Sequence, residues 1–327
     1  MRRIIGLGET VYDIIFRHDQ PERAVPGGSA FNAIITLGRM MRRVDPDIRA
    51  QVSMITEAGD DHIGRLTLQF MTDNGVCTDR VTVNPGTKSH ISLAFLDDDN
   101  NAQYTFYKDH AHAHLTLDTA SLLASFTPDD ILLFGSFFAI NPVIRQEVTL
   151  PLLQAAHDAG AVLYYDINFR RSHIADIPAT IGNIEENMRL STVVRGSAED
   201  FGYLYGTTDA REIYVRHIRQ HCPFFICTDG AAPTHLFVPN TANPGSFLEV
   251  QVPVTPLSDV VSTIGAGDNF NAGFLYALTL TGLDKSDLVT PDMGCGSSLL
   301  HIVDVAQRFS AHVCQRLENY VEASFLP

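Results

Sequence analysis

The chain has 327 residues, 45% of them hydrophobic and 19% charged, so it can bury a large core and lacks the profile of a disordered chain. A formal net charge of -15 excludes general affinity for a nucleic-acid backbone, and lysine charge comes only from Lys88, Lys108 and Lys285. The cysteines (Cys77, Cys222, Cys227, Cys295, Cys314) form neither a C-x-x-C pair nor a zinc pattern, the start MRRIIGLGET has no long apolar stretch behind it, and no apolar run approaches the ~20 residues that span a bilayer. These features predict a reducing cytoplasm and no membrane partner.

In chain order, Ile4 to Gly8 reads as a short buried strand and Val11 to Phe16 as a second, followed by a loop ending in Pro26-Gly27-Gly28. From Ser29, a plausible cap, the pattern is helical through Met41. Residues 51–56 read as a strand and 62–74 as a helix closed by Asn74-Gly75. The stretch 79–108 alternates, is rich in Val, Thr, Ile, Phe and Tyr, and breaks at Pro85-Gly86 and at Asp97 to Asn101, which is hairpin chemistry. Strands follow at 131–135, 161–167, 192–195, 224–228, 234–238 and 247–252, with a helix at 142–159 and others at 267–281 and about 303–323. Strands separated by helix-length segments predict an α/β three-layer sandwich around a mostly parallel sheet. One domain is expected over 1–327, with a small β lid from about 10–17 and 79–110.

Chemistry concentrates in Val260-Val261-Ser262-Thr263-Ile264-Gly265-Ala266-Gly267-Asp268-Asn269-Phe270. Two glycines enter a helix with Phe270, Phe274 and Leu278 on one face. Glycine lets successive N–H groups point into one hollow, and the helix start adds unpaired N–H groups and the positive end of a dipole, which suits a phosphate. Asp268, in the first turn, can accept the proton of an attacking hydroxyl while the amides stabilise charge on the transferred group. The helix end is expected to favour its ionised form. By itself such a short motif is also compatible with a loop and a capping Asp. A second glycine pair, in Pro26-Gly27-Gly28-Ser29-Ala30-Phe31-Asn32-Ala33, also enters a helix, and Asn32 one turn in offers a donor and an acceptor to a sugar diol.

Together the two segments resemble the ribokinase-like (PfkB) family of carbohydrate kinases. Further matches run in order along most of the chain: Gly6-Leu7-Gly8-Glu9 with Asp13, Ala58-Gly59-Asp60-Asp61-His62-Ile63-Gly64, Asn74-Gly75-Val76, and Asp166-Ile167-Asn168-Phe169-Arg170, which looks like the D-x-N-x-R of fructokinase-like members. Thr228-Asp229-Gly230 resembles a nucleotide-side T-x-G.

The resemblance implies an ATP-dependent sugar kinase with Asp268 as base and the amides of Gly265, Ala266 and Gly267 as anion hole. Asp13, Gly27, Gly28 and Asn32 would hold sugar hydroxyls, although Asp13 also suits a strand end and Asn32 helix packing. Arg170, whose planar fork matches phosphate oxygens, would contact a substrate or nucleotide phosphate, while Arg171 suits a solvated surface. Thr228 and Gly230 would line the ATP phosphates or simply make a strand exit. ATP brings Mg²⁺. Two positions depart from the family pattern. Ser262 stands where an Asp commonly helps to bind a monovalent cation, which makes potassium activation doubtful. The family's N-x-x-E becomes Ser197-Ala198-Glu199-Asp200, which leaves Asp200, with Glu199 adjacent, as indirect support for Mg²⁺.

The D-x-N-x-R match points to fructose or a related ketose; a 2-keto-3-deoxy sugar acid kinase and a non-catalytic sugar or nucleotide sensor are the rivals. Gly6-x-Gly8 lacks the third glycine of a dinucleotide fold, and no G-x-x-x-x-G-K-[ST] occurs. His110, His112 and His114 alternate as metal ligands could, but without further ligands at suitable spacing they read as a lid hinge. The run Tyr104, Phe106, Tyr107 reads as lid packing or a subunit contact, and the exposed edge of a lid makes a homodimer clasp an expectation.

Overall fold

The computed structural model describes residues 2–96, 102–107, 119–291 and 295–327. Its strands are β1 (Arg3–Leu7), β2 (Val11–Arg17), β3 (Gln20–Gly27), β4 (Gln51–Gly59), β5 (Val81–Asn84), β6 (Ile91–Leu96), β7 (Ala102–Tyr107), β8 (Ile131–Gly135), β9 (Val162–Asp166), β10 (Val193–Ser197), β11 (Phe225–Asp229), β12 (Ala232–Pro239) and β13 (Phe247–Val252). They form a nine-stranded sheet, in the order β13-β12-β11-β10-β9-β8-β1-β4-β5, and a four-stranded sheet, β3-β2-β6-β7. In the large sheet β11-β12 and β12-β13 pair antiparallel and the other neighbours pair parallel. This is the ribokinase-like α/β architecture.

Strand residues alternate between two buried faces, as a parallel sheet covered on both sides requires. Ile4, Leu133, Tyr164 and Ile226 pack with Phe31 and Ile34 of helix Ser29–Met41, Phe274 and Leu278 of helix Ala266–Thr281, and Phe309 of helix Cys295–Cys314. Ile5, Leu132, Leu163, Tyr165 and Phe225 pack on the other face with Leu152, Met188 and Phe201. Each such side chain contributes on the order of 1.5–3 kcal/mol when taken fully out of water, so packing rather than propensity holds these helices.

The lid differs from expectation at two places. Val81–Asn84 is not lid: β5 pairs parallel with β4, Thr56 to Val81 through Gly59 to Asn84, at the edge of the large sheet. The segment read as a loop before Gly27 forms β3, antiparallel to β2. Its Pro21, Pro26 and charges hide the alternation of a strand, but prolines are tolerated on an edge strand, which lacks a partner on one side. The last helix runs Cys295–Cys314 instead of 303–323. The chain beyond it runs in turns and bends and is held against the first helix, with Tyr320 and Val321 buried and the Val321 N–H donating to Thr36 Oγ1 at 3.1 Å. His110, His112 and His114 lie outside the described residues.

The parallel strands β8 to β11 end along one edge of the sheet, where Asp166 stands beside Gly135 and Arg195, and Ser197 beside Thr228. Ligands of open α/β sheets bind outside these carboxyl ends, and the charged motifs collect there.

Candidate active site

Helix Ala266–Thr281 begins at Gly265, whose φ of 78° is left-handed and therefore suits glycine. Asn269, fully buried, fixes this entry. Its Nδ2 donates to Gly265 O and Asn319 O, both at 2.8 Å, and its Oδ1 accepts from Thr36 Oγ1 at 2.6 Å. The amides of Gly265, Ala266 and Gly267 thus stand at a helix start, the arrangement that binds anions, with the Ala266 N–H donating to Thr263 O at 3.2 Å.

Asp268 sits in the first turn with 7% of its surface exposed, and its Oδ2 accepts from Asn32 Nδ2 at 2.8 Å. Asn32 Oδ1 is buried without a hydrogen-bond partner among the described residues. Burial pushes the Asp268 carboxyl up to about 6; Asn32 and Ser29 pull it down through hydrogen bonds, Asp166 raises it further and Arg170 opposes that. A value of about 6 still leaves Asp268 ionised at neutral pH, as the sequence led one to expect, but burial, which the sequence does not show, moves it well above an ordinary aspartate.

Asp13 comes from the lid. It lies opposite Ser92 of β6, and Ser92 Oγ donates to its Oδ1. Burial raises Asp13 to about 6 against that hydrogen bond, with the charge of Asp268 adding to the rise. Gly27, at the end of β3, packs against the Asp13 carboxylate, and a Cβ there would collide with it. Gly28 (φ 120°) occupies the N-cap position of helix Ser29–Met41 with no side-chain cap, so Ser29 does not cap the helix as expected. Instead its Oγ accepts from Asn168 Nδ2 at 2.6 Å. The structure thus brings Asp13, Gly27, Gly28, Asn32 and Asp268 together.

The D-x-N-x-R segment reaches further than its arginine. Asp166 is buried; its Oδ1 accepts from Arg195 Nη1 at 3.1 Å and its Oδ2 from Asn271 Nδ2 at 2.7 Å. Asn168 holds a left-handed φ of 39° while bonding Ser29, a conformation that asparagine tolerates. Arg170 is exposed at the start of a 3-10 turn and acts on Asp268 through its charge; Arg171 is exposed as well.

On the far side, Thr228 lies one residue before the end of β11 with its Oγ1 accepting from Arg195 Nη2 at 2.7 Å, and Gly230 (φ 52°) makes the turn into β12. Ser197-Ala198-Glu199-Asp200 is a capping box: Ser197 Oγ accepts from the Asp200 N–H, and Asp200 Oδ2 accepts from the Ser197 N–H at 2.7 Å. Asp200 is buried and pushed up by that burial and by Asp166, while Glu199 accepts from Tyr203 Oη at 2.6 Å. This gives Asp200 a structural task that the sequence reading did not assign. Ser262 is buried, with Oγ accepting from the Ile264 N–H at 3.2 Å.

Sequence reasoning missed Ser92, Arg195 and Asn271. Arg195 had a legible signal, a lone charge inside the apolar strand Val193–Ser197. Ser92 had none, because its partner is set by the pairing of β2 with β6.

The profile described as pfkB family carbohydrate kinase matches residues 1–321. A fructokinase of Rhizobium leguminosarum bv. trifolii is 26% identical over 289 residues, 86% of this chain and 81% of that protein. An aminoimidazole riboside kinase of Salmonella typhimurium is 26% identical over 282 residues, 85% of this chain and 82% of that protein. The crystal structure of a fructokinase with bound ATP from Xylella fastidiosa superposes with a TM-score of 0.76 at 21% identity, covering 98% of this chain and 96% of that one.

A carboxyl raised to about 6 in the fold destabilises it above that pH, where the buried charge must form, and ceases to do so below about 4, where folded and unfolded states are both protonated. Asp268→Asn is therefore expected to stabilise the protein at pH 8 by about 1–3 kcal/mol, with the gain shrinking as pH falls from 6 to 4. Thermal melts of both proteins across that range check it; an equal or lower melting temperature for the variant at pH 8 contradicts it.

Proposed function

Because this chain belongs to the pfkB family of carbohydrate kinases, we propose that it transfers the γ-phosphate of Mg·ATP to a hydroxyl of a neutral sugar, fructose or a related ketose first, with Asp268 as base. The observation that carries this reading is the buried Asp268 carboxylate held by Asn32 at the mouth of the Gly265–Gly267 hollow. A sugar hydroxyl there would donate to Asp268, which Asn32 holds in place, and Asp13 with the Gly27 and Gly28 backbone would take others. The acceptor proton would pass to Asp268, whose pKa of about 6 makes it a stronger base than an ordinary aspartate yet leaves it ionised at neutral pH. The N–H groups of Gly265, Ala266 and Gly267 would face the charge of the transferred group, with Arg170 beside it. Thr228 and Gly230 would line the nucleotide phosphates.

Mg²⁺ would neutralise the ATP phosphates when bound. Among the described residues no three His, Cys, Asp or Glu side chains group as metal ligands. We therefore assign the ion to the phosphates themselves, with Asp200 and Glu199 acting on it indirectly. Ser262 supplies no carboxylate and its hydroxyl already accepts a hydrogen bond, a poor donor set for a monovalent cation, so the reaction is proposed to proceed without potassium.

Charge weighs against the sugar-acid reading. The charge of Asp268 already raises the cost of ionising Asp13, and that of Asp166 the cost of ionising Asp268, so an anionic acceptor would add to the repulsion, which the charge of Arg170 opposes at Asp268. The sensor reading, motivated by Ser262 and S-x-x-D, is weakened by the intact Asp268 and by the capping box that gives S-x-x-D a structural task. The relatives named above leave the sugar open, and fructose is preferred on the D-x-N-x-R match. The four described free cysteines (Cys77, Cys222, Cys227, Cys314) support a cytoplasmic setting, and no helix among the described residues is long and apolar enough to cross a membrane.

The test is ADP release with Mg·ATP across fructose, ribose, an aminoimidazole riboside and a 2-keto-3-deoxy sugar acid. Fructose is expected to give the largest kcat/KM, with the same rate when sodium replaces potassium, and Asp268→Ala is expected to lose about 10³-fold or more. A much larger kcat/KM on another substrate rejects fructose, and an undiminished Asp268→Ala rejects the base. A homodimer clasped through the lid is also proposed, because the β7 edge presents Phe106 and Tyr107, 51% and 59% exposed. Light scattering should find a dimer; a monomer at micromolar concentration overturns the clasp.

A further inference from the structure

Arg195 belongs to none of the motifs that led to the site, yet it lies at the centre of the site's charge. It is 6% exposed on β10, between the two strands that carry Asp166 and Thr228. Its fork spans both: Nη1 donates to Asp166 Oδ1 at 3.1 Å and Nη2 to Thr228 Oγ1 at 2.7 Å. The guanidinium lies over the Phe270 ring, 5.6 Å from its centroid. It is also directly below the anion hollow, since a methyl group on Gly267 would stand 2.9 Å from Nη1 and 3.1 Å from Nη2. Gly267 thus lets the helix start settle onto a buried cation.

A purely structural ion pair is a poor explanation for this arrangement. Burying an arginine is expensive unless its donors are satisfied, and Arg195 Nε is buried with no partner among the described residues. The hydrogen bond to Thr228 has a direction with a consequence. By donating to Thr228 Oγ1, Arg195 occupies an acceptor site of the hydroxyl and leaves its proton free to point outward, toward an anion. Asp166 is aligned as well, because Asn271 holds its other oxygen at 2.7 Å.

We propose that Arg195 is a positioning residue for phosphoryl transfer: a fixed positive charge beneath Gly265–Gly267 that turns the Thr228 hydroxyl toward the nucleotide phosphates and steadies negative charge as the phosphoryl group crosses to the sugar. This rests on the kinase reading above. A fixed charge in a dry site needs no reorganisation during the reaction, so its effect falls on the chemical step more than on sugar binding.

The experiment compares wild type, Arg195→Met and Arg195→Lys in the full chain by ADP release at varied sugar and Mg·ATP, with melting temperatures alongside. Arg195→Met is expected to lower kcat about 10²-fold with the sugar KM within about threefold, and Arg195→Lys, which keeps the charge but not the fork, to lie about tenfold below wild type. A folded Arg195→Met with kcat near wild type overturns the proposal, as does Arg195→Lys no better than Arg195→Met, since shape alone would then matter. If Arg195→Met does not fold, Arg195→Lys decides: a tenfold fall at constant sugar KM supports the role, and wild-type kcat overturns it. Slow hydrolysis of Mg·ATP, with water as acceptor, separates the two readings. Hydrolysis without phosphorylation of any sugar sinks the sugar reading, and the same variants then decide on Arg195; neither activity in wild type sinks both.

Discussion

The hydrogen bond from Asn32 to Asp268 joins two segments 236 positions apart and brings a carboxylate out of water at the start of a helix. Taking such a group from water is costly unless donors replace the lost solvation. Asn32 and Ser29 supply part of that replacement, and Ser29 is itself fixed by Asn168 from the carboxyl end of the sheet. The remaining deficit appears as the raised pKa of Asp268. Helix Ser29–Met41, helix Ala266–Thr281 and the segment after β9 must therefore all be in place before the carboxylate has its environment. Asn269 and Thr36 lock the two helices together beneath it.

The second organising constraint is the line of charge along the strand ends. Asp166 carries two donors, Arg195 and Asn271, and Arg195 continues to Thr228. Asn271, Asp166, Arg195 and Thr228 are thereby parts of one polar network across the ends of neighbouring strands. Such networks are rigid when satisfied and expensive when broken. The lid stands apart from this scaffold. Asp13 reaches the site from a four-stranded sheet in which, among the described residues, Ile15, Ala94 and Leu96 form a buried cluster of their own.

Much of this was legible in the sequence because it is local. The glycines at 27, 28, 265 and 267, the alternation of apolar runs with helix-length segments, and the order of the motifs all appear as short patterns. What was not legible depends on tertiary neighbours. The strand β3 is hidden by its prolines, and β5 looks like its lid neighbours until its pairing with β4 is known. The ends of the last helix were misplaced because the residues after Cys314 are held by contacts to the first helix rather than by helical bonds. The raised pKa of Asp268 was hidden for a related reason: sequence shows a helix start, a local feature, but not the burial that pushes the carboxyl up. Likewise the sequence of S-x-x-D does not show that Ser197 and Asp200 also close a capping box.

The most direct test of a buried, raised carboxylate acting as base is the pH dependence of kcat/KM on the accepted sugar. The structure predicts a fall as pH drops through about 6, the value to which burial raises Asp268, with activity sustained above it. An ordinary exposed aspartate would hold activity down to about pH 4. Full activity at pH 5 in a folded enzyme would contradict the account, because the group that takes the proton could not then be Asp268 in this environment.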